Sequence, residues 1–241
     1  HLDLHSFPTR RSSDLPDRFF DPDPVIRSYA RTIFDSIKSM PIISPHGHVD
    51  PQIFVEDKPF ENPTKLFITP DHYLFRMLYS QGIPMEALGI PSINGTEVES
   101  DPRKIWKLFA ENYYLFLGTP SGVWLDHEFY EVFGIKEKLN GSNAEKIYNE
   151  LSEKINSPEF RPRRLFERFN IEVLSTTDAS TDNLSSHKKI KESIWNGKVI
   201  PCFRPDGVTD ISNPAWKSNV DLLSSICGYE IGSFSKFIQA L

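Results

Sequence analysis

An alternation of strand, helix and strand in the last third of the chain restricts its fold more than any other feature. Ile171–Thr176 and Val199–Phe203 are short apolar segments with β-branched residues, which predicts two strands. Between them a helical pattern runs from about Asp182 to Trp195 and stops before Gly197. Because strands that alternate with helices form parallel sheets, this part of the chain is predicted to be a βαβ unit.

A shorter strand is predicted earlier, at residues 41–45, where prolines bound an apolar run. From about Ile83 to Arg168 the sequence carries helix signals, such as the helix start at Asp101–Pro102, and no strand pattern. The expected fold class is therefore α/β. Three strands are readable in the sequence, and a long helical insertion at about 83–168 follows the first strand.

The composition limits the classes of partner. The chain of 241 residues is 39% hydrophobic and 25% charged, as in an ordinary soluble globular protein. Its formal charge is -6 and it has no dense run of Lys and Arg, which argues against a nucleic-acid or membrane partner. No apolar stretch approaches the roughly 18 residues of a membrane span. The two cysteines, Cys202 and Cys227, are too few for a disulfide scaffold and predict a cytoplasmic location.

The beginning of the chain differs from the rest of the sequence. Residues 1–15 show neither helical nor strand periodicity, and residues 5–15 (HSFPTRRSSDL) resemble translated sequencing-adapter sequence. We therefore expect residues 1–15 to be an artefact outside the native protein and exclude His1 and His5 as ligands. The native part of the domain is expected over residues 16–241.

His46 and His48 are the first candidates for chemistry. They stand two residues apart after the short apolar strand, and side chains at that spacing on an extended chain point the same way. Both imidazoles could then reach one divalent cation, and imidazole suits Zn²⁺ and its neighbours. Two unrelated surface histidines are the alternative interpretation.

A helix start at Thr69–Asp71 brings His72 and Tyr73 into a first helical turn. Thr69 is predicted to be the capping residue, followed by Pro70 at the first helical position. Free backbone N–H groups and the helix dipole would there favour a substrate carboxylate or a developing tyrosinate. Packing of His72 and Tyr73 against the core is the alternative.

Polar residues also end the two later strands. Thr177 and Asp178 follow the first of them, and Arg204 follows the second. Active sites of (β/α)₈ barrels lie at the carboxyl ends of strands, and Arg can hold a carboxylate through two parallel hydrogen bonds. A structural salt bridge is the alternative for Arg204. His127 and His187 occur in polar helical contexts and are predicted to be surface residues.

Four motifs in this order, PHGH (45–48), TPDHYLFRMLYSQGI (69–83), LSTTD (174–178) and FRPD (203–206), resemble the uronate isomerase family of the amidohydrolase superfamily. The resemblance covers about residues 19–241. It implies an incomplete TIM-type (β/α)₈ barrel of which the first three strands are present. It also implies an aldose–ketose isomerase that interconverts D-glucuronate and D-fructuronate, or D-galacturonate and D-tagaturonate, by proton transfer through an enediol.

The resemblance also implies roles for individual residues. His46 and His48 are similar to the family's metal ligands, for a divalent cation expected to be Zn²⁺, and His46 is also expected to take part in catalysis. His72 and Tyr73 are similar to its substrate-contacting pair, with Tyr73 as the proton carrier at C2.

The substrate site is expected to extend beyond these residues. Arg204 resembles the family's carboxylate-binding residue, and Asp178 is expected to support substrate binding. The family's third metal ligand, an Asp, should lie after Leu241, so the chain is expected to be an N-terminal fragment that is inactive alone. A metal-dependent hydrolase of the same superfamily and an inert truncated product are the alternatives. The expected partner is a small uronate, and a homo-oligomer is compatible with the sequence.

Overall fold

The computed structural model describes residues 17–241, so the predicted artefact at residues 1–15 lies outside the described residues. The chain forms two compact units. The first contains residues 17–39 and Pro59–Arg161, and the second contains Met40–Lys58 and Pro162–Leu241. No helix in the described range is both long and apolar enough to cross a membrane.

Helices and strands follow one another along residues 17–241 in this order: α1 (Pro24–Ile37), β1 (Ile42–Ser44), α2 (Gln52–Glu56), α3 (Pro63–Phe67), α4 (His72–Ser80), α5 (Pro102–Glu111), α6 (Pro120–His127), α7 (Ala144–Ile155), α8 (Pro162–Arg168), β2 (Ile171–Ser175), β3 (Asp178–Ala179), α9 (Ser185–Glu192), β4 (Lys198–Ile200), β5 (Phe203–Arg204), α10 (Asp206–Thr209), α11 (Trp216–Cys227) and α12 (Phe234–Ala240). Short 3-10 helices occur at Met85–Leu88, Tyr113–Phe116 and Pro158–Phe160, and a π-helical turn at Glu128–Val132.

The first unit is helical and has an aromatic core. Trp106 and Phe109 of α5 pack with Tyr113 and Phe129, and all four are almost completely buried. The Trp106 indole donates to the Ala144 carbonyl at 2.9 Å. Burial of each large side chain stabilises the unit by about 1.5–3 kcal/mol, before the entropic cost of ordering it.

The second unit contains a three-stranded parallel sheet in the order β1-β2-β4. α9 follows β2 and precedes the parallel strand β4, which confirms the predicted βαβ unit. Residues 45–170, all of which the structure describes, contain helices and no strand. The carboxyl ends of β1, β2 and β4 lie at one edge of the sheet, because all three run in the same direction.

In the structure each of the two later strands is followed by a second, shorter strand. β2 and β4 belong to the main sheet, whereas β3 and β5 form a separate parallel pair beyond it. Pro201 lies at the interruption, where a residue without an N–H cannot donate to the sheet. Hydrogen bonds between Thr176 and Ile200 and between Cys202 and Thr176 continue the pairing across this gap.

A small apolar cluster covers the main sheet. Leu174 of β2 and Val199 of β4 are neighbours in the sheet, and Ile190 of α9 belongs to the same cluster. Phe54 of α2 also belongs to the cluster and stacks on Trp195, with ring centroids 5.4 Å apart. The segment after β1 therefore packs on the same face as the helix of the βαβ unit.

Candidate active site

His46 and His48 follow β1 directly, at the carboxyl edge of the main sheet. Their side chains converge: the two Nε2 atoms are 3.1 Å apart, and the rings meet edge to face at 82°. Two nitrogens bound at 2.0–2.1 Å to one tetrahedral cation stand roughly 3.3 Å apart. The pair therefore fits two of the ligands of one divalent cation.

The turn between the two histidines rests on the backbone of β2. A Cβ atom at Gly47 would lie 3.2 Å from the carbonyl oxygen of Ser175, which is tighter than most such contacts. Glycine at this position lets the turn approach the strand closely. The position of the histidine pair is thus set by the end of β2.

A hydrogen bond orients the second histidine of the pair. Oγ1 of Thr177 lies 3.2 Å from Nδ1 of His48. With the proton on Nδ1, that nitrogen donates to Thr177 and leaves the lone pair of Nε2 for a cation. Ligating histidines commonly make such an outer contact, which fixes both the tautomer and the ring orientation.

Three buried polar side chains lie behind this contact. The Thr176 hydroxyl is 2.7 Å from Oδ2 of Asp178 and 2.9 Å from Nε2 of His187. Asp178 Oδ2 also accepts the backbone N–H of Cys202 at 3.2 Å. The carboxylate of Asp178 is therefore engaged within the protein, and its expected contribution to substrate binding stays a prediction.

The prediction that His187 is a surface residue is wrong. Its side chain is 8% exposed, because the face of α9 that carries His187 and Ile190 lies against the sheet. The three-residue spacing of these two side chains was the available signal, since residues three apart share one helix face. The prediction for His127 is confirmed, since this residue is exposed.

Arg204 lies at the end of β5, beyond the carboxyl end of β4, and therefore at the same edge as the histidine pair. Its Nε atom donates to Oδ2 of Asp206 at 2.9 Å, and this guanidinium lowers the pKa of the Asp206 carboxyl. The side chain is 44% exposed. The ion pair uses one of the five N–H groups of the guanidinium, whose other donors suit a carboxylate.

The first unit carries the other candidate residues at the start of α4. Asp71, not Thr69, caps this helix, and its Oδ1 accepts the N–H groups of Tyr73 at 2.8 Å and Leu74 at 3.3 Å. The predicted cap at Thr69 is therefore wrong. The expectation that these first-turn N–H groups are free for an anion is also wrong, because the Asp71 carboxylate occupies them.

Tyr73 and His72 are both exposed, so neither is packed in the core. Their ring centroids are 4.2 Å apart and the Tyr73 side chain is 59% exposed. The fully buried Leu74 and Leu78 hold the other face of the helix. The convergence of Tyr73 with the histidine pair and Arg204 stays a prediction.

Glu128 is a further candidate, an acid of the first unit at the start of the π-helical turn. Burial, followed by the negative charge of Asp71, raises the pKa of the Glu128 carboxyl from 4.5 to about 7. An acid that titrates near neutral pH beside the Asp71 cap is a candidate for a functional group. An isolated Glu carries no sequence signal of such a shift.

A cavity of about 310 Å³ opens beside His48 in the second unit. Its polar lining includes Asp50, Thr177, Asp178 and His187. The volume is in the range of pockets that hold small molecules. Within residues 17–241, no group of three or more His, Cys, Asp or Glu side chains is arranged to hold a metal ion, so the described site offers a pair of histidine ligands.

The sequence profile of glucuronate isomerase matches residues 19–241. The chain is 51% identical to a uronate isomerase of Nostoc punctiforme over 97% of its own length and 49% of that protein. It is 46% identical to a uronate isomerase of Phenylobacterium zucineum, over 93% of this chain and 47% of that protein. The chain spans about half the length of these curated relatives.

Solved structures agree with these matches. The crystal structure of glucuronate isomerase from Caulobacter crescentus superimposes with a TM-score of 0.88 at 44% identity, over 94% of this chain and 47% of that one. The uronate isomerase of Thermotoga maritima gives a TM-score of 0.78 at 27% identity, over 88% and 45%.

Proposed function

Because this chain belongs to the glucuronate isomerase family, whose curated relatives are named uronate isomerases, we propose that the full-length protein is an aldose–ketose isomerase of uronates. It interconverts D-glucuronate and D-fructuronate, and D-galacturonate and D-tagaturonate. The observation that carries the proposal is the convergent pair His46 and His48, oriented by Thr177 at the carboxyl edge of a parallel sheet.

The reaction moves the hydrogen on C2 to C1 and a proton from the C2 oxygen to the C1 oxygen, and it leaves the oxidation state of the whole substrate unchanged. A base removes the proton on C2, the electron pair forms a C1–C2 double bond, and the C1 carbonyl oxygen takes a proton. The resulting enediol then loses the proton of its C2 hydroxyl while C1 gains a proton, which gives the 2-ketose with its carboxylate still at C6. Such a reaction needs a positioned acid–base group, for which we propose Tyr73 with His72 beside it.

The histidine pair supports the presence of a divalent cation, for which we propose Zn²⁺. Their nitrogen ligands and spacing suit this ion. A bound cation supplies a Lewis acid that polarises the carbonyl oxygen. His46 and His48 hold that position, and Thr177 orients His48.

We propose that Arg204 selects the substrate by binding its carboxylate. Its exposed guanidinium pairs with Asp206 through Nε. The terminal N–H groups can then hold the C6 carboxylate of the substrate. When Arg204 holds the carboxylate at C6, the reacting carbons C1 and C2 lie at the opposite end of the six-carbon sugar acid. We propose that Asp178 supports the site through the buried contacts of β3.

We infer an incomplete (β/α)₈ barrel, in which the parallel sheet supplies the first strands and the helices before Arg168 form an insertion. The two free thiols, at Cys202 and Cys227, support a cytoplasmic location. The formal charge of -6 supports the absence of a nucleic-acid partner.

Product analysis by NMR tests the activity. The full-length protein, supplied with Zn²⁺ and either D-glucuronate or D-galacturonate, is expected to produce the corresponding 2-keto sugar acid. A panel of esters, amides and lactones tests the alternative of a metal-dependent hydrolase. Turnover of that panel without any ketose would overturn the isomerase in favour of the hydrolase.

A further inference from the structure

Three polar side chains near the end of β2 are buried together. Thr176 is 1% exposed, Asp178 is 7% exposed and His187 is 8% exposed. We refer to these three residues as the buried trio. Thr177, whose hydroxyl contacts His48, lies between two members of the trio in the sequence.

The hydrogen bonds of the buried trio have one consistent direction. The Thr176 hydroxyl has a single hydrogen, and its 2.7 Å contact with the carboxylate of Asp178 is shorter than its 3.3 Å contact with the carbonyl of Ile200. Thr176 Oγ1 must then accept at its 2.9 Å contact with Nε2 of His187. His187 is therefore the donor and carries a proton on Nε2, which also lies 3.7 Å from Oδ1 of Asp178.

The buried trio fixes the direction of Thr177. Backbone hydrogen bonds from Thr176 to Ile200 and from Asp178 to Cys202 keep this segment extended alongside the next strand. Successive side chains of an extended segment point to opposite sides. With the side chains of Thr176 and Asp178 held inside by His187, the hydroxyl of Thr177 faces the other way, toward Nδ1 of His48.

We propose that His187 is a positioning residue of the cation site. Together with Thr176 and Asp178 it holds Thr177 against Nδ1 of His48, which keeps Nε2 of His48 available to a cation. His187 is a buried residue of α9 and acts on the site through Thr176. The inference rests on the proposed function in one respect, that the histidine pair binds a divalent cation.

The test measures Zn²⁺ affinity of the full-length protein by equilibrium dialysis, at a temperature well below unfolding. His187→Leu removes the donor to Thr176, and the affinity is expected to fall about 10- to 100-fold, as when other outer contacts of metal ligands are lost. His187→Gln places an amide N–H near the position of Nε2 and is expected to restore affinity to within about threefold. His127→Leu, at an exposed histidine, is the matched control and should bind as the unaltered protein does.

A second variant keeps the proposal testable where His187→Leu does not fold. Thr177→Val leaves the buried trio intact and removes only the hydroxyl at His48, so it should weaken Zn²⁺ binding to a similar degree. Unchanged affinity in Thr177→Val, or in folded His187→Leu, overturns the positioning role. A fall in melting temperature without a change in affinity would show that His187 is structural and would also overturn it.

His46→Ala separates this result from a failure of the proposed function. If His46→Ala weakens Zn²⁺ binding and both His187→Leu and Thr177→Val leave it unchanged, the cation site stands and the positioning role is wrong. If His46→Ala also has no effect, the histidine pair is not the cation site, and both proposals fail together.

Discussion

Oγ1 of Thr177 lies 3.2 Å from Nδ1 of His48, and this contact joins two residues that are 129 positions apart in the sequence. It forms because β1 and β2 are adjacent parallel strands, so that the residues that follow them meet at one edge of the sheet. A helical segment of more than a hundred residues can therefore separate the two halves of the site without disturbing the contact.

Cation binding should depend directly on the first histidine. His46→Ala deletes one of the two converging Nε2 atoms, so the affinity of the full-length protein for Zn²⁺ is expected to fall at least about tenfold. Calorimetric titration measures this, with His127→Ala as the control at an exposed histidine. Unaltered affinity and unaltered metal content in His46→Ala would exclude this residue as a ligand.

The acid–base role of Tyr73 can be separated from its packing. Tyr73→Phe keeps the ring and removes the hydroxyl, so kcat for either uronate should fall about 10²–10⁴-fold with little change in KM. Tyr79→Phe is the matched control, because Tyr79 lies on the same helix and is similarly exposed at 58%. Equal kcat in Tyr73→Phe and the unaltered protein would remove Tyr73 from the mechanism.

Substrate binding should depend on Arg204. Arg204→Met removes a charge-assisted contact to the carboxylate of the substrate, and KM is expected to rise roughly 10- to 100-fold. Asp206→Asn retains the guanidinium and removes its charged partner, so KM should stay near that of the unaltered protein or fall. An unchanged KM in Arg204→Met would exclude Arg204 as the group that holds the substrate carboxylate.

Glu128 predicts a pH dependence of stability. The pKa of its carboxyl is about 7 in the folded protein against an ordinary 4.5, so between these values the folded state binds a proton that the unfolded chain has released. The free energy of unfolding should therefore decrease as pH rises from 4.5 to about 7. Glu128→Gln should remove this decrease and stabilise the protein at pH 8 by an amount on the order of 1–3 kcal/mol.

Denaturant unfolding at several pH values measures this dependence. Glu131→Gln, at an exposed acid of the same turn, is the control and should keep the slope of the unaltered protein. Asp71→Asn retains a capping oxygen but removes the negative charge near Glu128, so it should reduce the slope in part. The same slope in Glu128→Gln as in the unaltered protein would show that another group titrates.

Local sequence signals were sufficient to predict a helix start where only the residues of its first turn determine it. Asp101 caps α5 and accepts the N–H of Arg103 at 2.9 Å, as Asp101–Pro102 predicted. At α4 the predicted cap was Thr69, whereas the structure uses Asp71, which is also a residue type that caps helices. A sequence pattern alone does not decide between two adequate caps, because the decision depends on how the rest of the helix packs.

Local signals are weaker for buried polar residues: the spacing of His187 and Ile190 places both on one face of α9, but it does not show that this face is covered. His187 lies among lysines and serines on α9, and only the tertiary contact with Thr176 and Asp178 makes its burial favourable. A buried polar group without such partners would be costly, so its burial depends on residues that are distant in sequence. The raised pKa of Glu128 likewise depends first on burial of the carboxyl group and then on the negative charge of Asp71.

The measurement that tests the central claim most directly is hydrogen exchange at C2. The full-length protein is incubated with Zn²⁺ and each uronate in D₂O, and deuterium at C2, together with the 2-keto product, is followed by NMR. An aldose–ketose isomerase that acts through an enediol should exchange the C2 hydrogen and form the ketose, and Tyr73→Phe should slow both. Absence of both exchange and ketose with D-glucuronate and with D-galacturonate would contradict the account.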